Sequence, residues 1–223
     1  MFVNIKNDYY TPLMTTARTE YILDALANFF SIVFHPLFMP LYGLGIIFSA
    51  PTVLGYLPFT VKFFLFLIIL INNVLIPLAL MPYFRYRNII SSYHVDDRKE
   101  RIIPLLITSL LYSITSFIVF RFQTPLFLKS FIFAASCLVI AATVINFWWK
   151  ISIHSVGAGA LAGVVVVLSL KMYTPLTWYL ISVILAGGLV LSSRLRLNSH
   201  NPLQVWIGFL TGLLGLSLFL TAF

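Results

Sequence analysis

Residues 151–170 read ISIHSVGAGALAGVVVVLSL, an uncharged run bounded by Lys150 and Lys171. At a rise of about 1.5 Å per residue a run of this length covers about 30 Å, the thickness of a bilayer's hydrocarbon core. Its apolar residues are continuous and do not alternate with polar ones, which selects a membrane helix over a strand of a closed barrel. Six further windows lack Asp, Glu, Lys and Arg: 25–61, 63–84, 102–120, 130–149, 172–193 and 197–223. An ionised side chain at the bilayer centre costs at least about 2.5 kcal/mol, so these windows locate the spans.

The composition agrees. Of 223 residues 61% are hydrophobic and 9% charged, and the mean hydropathy is +1.01. Soluble domains carry about 25% charged residues. A soluble enzyme, a disordered chain and a nucleic-acid-binding domain are excluded, although a pI of 9.7 alone would suggest the last. The formal charge of +8 points instead to lipid headgroups or an anionic ligand. The expected fold is an all-α polytopic bundle of six to seven spans, with seven favoured by the windows.

Residues 1–223 read as one membrane domain with a polar N-terminal segment over 1–20. That segment lacks the basic-then-apolar order of a cleavable signal peptide, so insertion is expected to rest on the first spanning helix. Pro36, Pro40, Pro51 and Pro58 divide the first window into a kinked helix from about Asp24 to Phe48 and then a loop. The third helix is expected from Ile102, with Pro104 tolerated in its first turn. The lone Cys137 supports neither a disulfide framework nor a cysteine metal site.

Loop parity puts the loops after spans 2, 4 and 6 on one face with the N-terminus. This face carries Lys6, Arg18, Arg85, Arg87, Arg98, Lys99, Arg101, Lys150, Arg194 and Arg196, against Lys62, Arg121, Lys129 and Lys171 opposite, ten cations to four. The positive-inside rule would make it cytoplasmic. A phosphate site, however, needs Arg and Lys whichever way it faces, so orientation stays open.

The chemistry concentrates in Ser193-Arg194, five residues, His200, three residues and Gln204. Arg194 offers a planar fork for phosphate oxygens. Gln204 lies one turn beyond His200 and can accept its Nδ1–H. Lys150 and His154 are likewise four apart, with Ser152 between them. Two histidines, a serine and several cations suit phosphoryl transfer, one histidine attacking and the other protonating the leaving oxygen.

These residues resemble the type 2 phosphatidic acid phosphatase (PAP2) superfamily, over about residues 94–204. The family motif SRxxxxxHxxxD matches Ser193, Arg194 and His200, with Gln204 where the family has Asp. PSGH aligns with Ile151-Ser152-Ile153-His154, keeping Ser and His. KxxxxxxRP has an approximate counterpart around Arg98, Arg101 and Pro104, with His94 at the Lys position. The resemblance implies a metal-independent, multi-pass phosphatase of a bacterial inner membrane without a cofactor. His200 would form a phosphohistidine and His154 would protonate the departing lipid oxygen. Arg194, Ser152 and one or both of Arg101 and Arg98 would hold the phosphate; apart from the resemblance, the one-turn spacing of Lys150 from His154 suggests that it substitutes for the missing lysine. The partners would be a lipid phosphate or diphosphate and membrane lipids, with no nucleic acid. A non-hydrolytic lipid-phosphate binder or transporter is the alternative, and a phosphotransferase to an acceptor other than water is a third reading.

Other residues have plainer readings. His35 is expected to be packed or interfacial rather than a ligand, and His94 divides evenly between solvated and functional. Asp96-Asp97 is read as part of an internally neutralised loop rather than a Mg²⁺ site. Arg85 and Arg87 are expected to anchor at headgroups, and Trp148, Trp149, Tyr83, Phe84 and Tyr86 to form an interfacial belt. Gly159 with Gly163, and Gly208 with Gly212, predict close packing of the fifth and seventh spans within one chain, with homodimerisation as the alternative.

Overall fold

The computed structural model describes residues 10–93, 95 and 97–222, with side chains from Arg18 onward; His94 and Asp96 lie outside them. The described residues contain helices and no strand: α1 Tyr10–Val33, α2 Met39–Ser49, α3 Phe59–Ile69, α4 Ile76–Tyr86, α5 Ile102–Phe120, α6 Leu126–Asn146, α7 Ile153–Lys171, α8 Thr177–Arg196 and α9 Pro202–Ala222. Grouped into spans, seven are long and apolar enough to cross a membrane: Arg18–Ser49, Phe59–Tyr86 and then α5 to α9 singly. The chain is a multi-pass integral membrane protein.

The first span differs from expectation. Its helix begins at Tyr10, not near Asp24, and breaks instead of kinking. Pro36 drives its predecessor out of the helical region, so His35 is extended with φ −64° and ψ 140°. A 3₁₀ turn, Pro36–Phe38, then leads into α2. In the second span the ring of Pro77 removes a helical donor, and the backbone widens to a π-helical turn over Leu70–Leu75 just before it. Charge-free windows miss several ends because helices run past charged residues whose long side chains reach the membrane surface; Lys62 and Lys129 lie within helices.

The bundle centres on α7, which packs against α2, α8 and, most extensively, α9. Small residues allow this. A Cβ at Gly208 would stand 2.7 Å from the Ser152 carbonyl oxygen, and one at Gly163 would stand 2.9 Å from that of Leu213. Gly159 and Gly212 face backbone of the opposite helix still more closely. The glycine pairs therefore seat α7 on α9 within one chain, as expected.

Hydroxyls and amides join the outer helices. Ser109 and Thr143 pair at 2.8 Å between α5 and α6, and Thr115 Oγ1 donates to Asn73 Oδ1 at 2.7 Å. In a bilayer such bonds satisfy groups that have no water to turn to. One belt assignment is corrected: Phe84 is buried with Ile90 and Val95, because the loop after α4 folds back over it. Tyr83, Tyr86 and Trp148 are exposed, whereas Trp149 is partly buried against Ile151 and Val156. Arg85 donates to the Ile90 carbonyl and so braces the same loop.

Candidate phosphate site at one end of the bundle

The turn between α8 and α9 is built to hold His200. Arg194 lies in the last turn of α8, and the helix closes through Asn198 in the left-handed region at φ 50°. The next helix opens with a reciprocal cap: Gln204 N–H donates to Asn201 Oδ1 at 2.9 Å and Asn201 N–H to Gln204 Oε1 at 3.3 Å. Pro202 at the first helical position gives up a donor that would have no partner there.

Gln204 Oε1 also lies 3.0 Å from His200 Nδ1. An amide oxygen only accepts, so Nδ1 bears the hydrogen and Nε2 keeps its lone pair. Nε2 faces Arg101 Nη1 at 3.5 Å. His200 is 7% exposed, and Arg101 and Arg194 are 8% exposed. Burial, then the Arg101 charge, pushes the His200 pKa down to about 4. The Gln204 bond opposes the shift, and Arg194 and Lys150 add to it. His200 is thus a neutral imidazole at ordinary pH, with its reactive nitrogen beside a cation.

Arg101 is itself braced, its Nε donating to the Val95 carbonyl at 2.7 Å. Val95 adopts φ 46°, an uncommon conformation for a β-branched residue, and presents that carbonyl from the loop before α5. On α7, Ser152 is fully buried and serves as the helix cap: its Oγ accepts from Ser155 Oγ at 2.9 Å and from Ser155 N–H at 3.4 Å. Its own N–H donates to the Gln204 carbonyl at 3.4 Å. The N-termini of α7 and α9 therefore lie side by side, and their partial positive ends favour an anion.

His154 Nε2 lies 3.2 Å from the Ser31 carbonyl oxygen, and Arg194 Nη1 donates to Ser31 Oγ at 3.4 Å. The guanidinium of Arg194 is within electrostatic reach of His35, His154 and His200. His200, Gln204, Arg101, His154, Arg194, Ser152 and Lys150 are accordingly gathered at one end of the bundle. Arg98 is engaged differently. Its Nη1 donates to the Asn146 carbonyl at 3.0 Å and to that of Phe147, while Asn146 Nδ2 returns a bond to the Arg98 carbonyl. This guanidinium satisfies the carbonyls at the end of α6, the usual service of a cation at a helix C-terminus. Ser193 is also occupied, donating to the Leu189 carbonyl at 2.7 Å.

Two residues of this end were not expected there. Ser31 joins His154 to Arg194, and the His35 ring stands edge-on to His154 with centroids 5.3 Å apart. Ser31 lies in the last turn of α1 and His35 just beyond its end, before Pro36; their four-residue spacing alone gives no sign of this role. His94 and Asp96 fall outside the described residues; Asp97 Oδ1 accepts the Lys99 N–H at 2.9 Å, a local turn. Comparison with protein families, with curated proteins and with solved structures returns no match for the chain.

Proposed function

We propose that the protein is a lipid phosphatase of the PAP2 type, set in a bacterial inner membrane and acting through a phosphohistidine on His200. The observation that carries this reading is the His200 ring. Its Nδ1–H is fixed by Gln204, and its Nε2 carries no hydrogen and accepts from Arg101 Nη1 at 3.5 Å. In the proposed reaction Nε2 attacks phosphorus and the bond to the lipid oxygen breaks. His154, whose Nε2–H is held by the Ser31 carbonyl, gives that oxygen the proton its Nδ1 takes up beside the bound phosphate. Nδ1 then takes a proton back from the water that releases phosphate from His200. Arg101 and Arg194 neutralise the equatorial oxygens, with Lys150 adding to the field.

An apolar cavity supports a lipid substrate. It is a half-open groove with about 70 Å³ of room, between Pro36, Met39, Ile153, Val156, Phe131 and Leu138. Pro36 and Ile153 are chain neighbours of His35 and His154, so an apolar chain here would leave its phosphate at the polar end. The test is phosphate release by purified protein in detergent with EDTA. Substrates should include a phosphatidate, an isoprenoid diphosphate and a phosphorylated glycolipid. Release from at least one is expected; tight binding without release would favour the second reading.

That second reading, a lipid-phosphate binder without hydrolysis, has one observation behind it: Gln204 is a neutral helix-capping residue where a carboxylate would stabilise the imidazolium form of His200. In serine proteases the comparable change of Asp to Asn costs about 10⁴ in rate. Gln204→Asp therefore separates the readings. An anion beside Nδ1 favours the protonated ring, so the His200 pKa rises from about 4 by about one to three units. The acidic limb of kcat/KM should move up by the same amount, and kcat should increase. An unchanged pH profile would mean that His200 does not carry the reaction.

A further inference from the structure

We infer that the end of the first helix and the break after it are a working part of the phosphate site, with Ser31 and His35 positioning His154 and Arg194. This rests on the reading above in taking the group bound there as phosphate. The argument begins with Pro36. Within α1 the Ser31 carbonyl would ordinarily accept the N–H four residues on, that of His35. The break before Pro36 turns that N–H to the Ile32 carbonyl at 3.2 Å instead. The freed Ser31 oxygen lies 3.2 Å from His154 Nε2. A carbonyl accepts only, so Nε2 bears the hydrogen and Nδ1 keeps the lone pair of the neutral ring.

The side chain of Ser31 is used as well. Helical hydroxyls in this protein commonly bond back to the carbonyl one turn earlier, as Ser113, Ser130, Ser193 and Thr143 do. Ser31 Oγ instead accepts from Arg194 Nη1 at 3.4 Å. Ser31 is 6% exposed while its neighbour Ile32 is 69% exposed, so the serine faces inward where the adjacent position faces outward. One residue thus sets a histidine of α7 and an arginine of α8 relative to each other.

His35 completes the arrangement. Its Nδ1 accepts the Leu37 N–H at 3.3 Å, which caps the 3₁₀ turn and fixes the ring. That ring stands edge-on to His154 at an interplanar angle of 83° and limits how far His154 can swing. The outer part of α1 is held to α8 by Arg196, which pairs with Glu20 at 2.5 Å and Asp24 at 2.8 Å.

The test uses the full chain in detergent micelles, with ¹⁵N-labelled histidine and inorganic phosphate as the probe. S31A removes the hydroxyl but keeps the carbonyl, and S31T restores the hydroxyl. H35N keeps an acceptor for the turn but removes the ring. S31A should weaken phosphate binding about tenfold, and S31T should return it to within about twofold. H35N should shift His154 from one Nε2–H tautomer towards a mixture. Wild-type affinity and wild-type His154 signals in both S31A and H35N would overturn the inference, as would a wild-type protein with no response to phosphate. Phosphate binding that depends on Ser31 without hydrolysis of any lipid phosphate would leave the inference standing and remove the phosphatase reading.

Discussion

His200→Ala is expected to lower phosphate release by about 10⁴-fold or more, because it removes the atom that bonds to phosphorus. The groups beside it cannot take over. Arg101 and Arg194 remain cationic, and Gln204 is an amide. His154→Ala should behave differently. It withdraws only the proton for the leaving oxygen, a contribution of about 10²- to 10⁴-fold on an alkyl phosphate. On an aryl phosphate, whose leaving group departs as an anion, the loss should shrink to about tenfold or less. Brief reaction with ³²P-labelled substrate should label wild type and His154→Ala with an acid-labile, base-stable phosphate, and should leave His200→Ala unlabelled. Equal losses on both substrates for His154→Ala would assign that histidine to binding, and labelling of His200→Ala would remove it as the nucleophile.

The fold was legible because lipid makes each charge informative. Runs without ions located seven spans, and the glycine pairs identified which two pack most closely. Helix ends were less so, since long cationic side chains let a helix continue past its last neutral residue, as α8 does to carry Arg194 and Arg196. In the site, spacing within a turn was enough to pair His200 with Gln204. It did not reveal that Gln204 also caps α9, or that Ser152 caps α7, because an amide or hydroxyl at a helix start reads alike in either role. Arg98 and Arg101 were indistinguishable by position. Only the fold separates the one that bonds the end of α6 from the one that faces His200. Ser31 and His35 were hidden for a different reason: the bond that recruits them is a backbone carbonyl freed by a proline, and side-chain chemistry carries no trace of it.

Gly212→Leu should have the second large effect, on the bundle itself. A Cβ at 212 would run into the backbone of α7 at Val156. Flexible side chains can yield by rotating, but a carbonyl inside a helix yields only if the whole helix moves. A destabilisation of about 3 kcal/mol or more is expected, at or beyond the upper end for overpacking of side chains. Gly188→Leu is the control, since no atom lies within 4 Å of a Cβ there and the residue is exposed on α8. It adds the same side chain, also replaces a helical glycine, and should leave thermal unfolding in detergent unchanged or slightly raised. The consequence reaches the site because Gly208, one turn before Gly212, sits against the Ser152 carbonyl, and Ser152 N–H in turn bonds the Gln204 carbonyl. Parting α7 from α9 moves Ser152 and His154 away from His200 and Gln204. Any Gly212→Leu protein that remains folded should therefore bind inorganic phosphate at least about tenfold more weakly than Gly188→Leu, the equivalent of losing one charge-assisted hydrogen bond. Equal melting temperatures and equal phosphate affinities in the two variants would show that contact between these helices does not assemble the site.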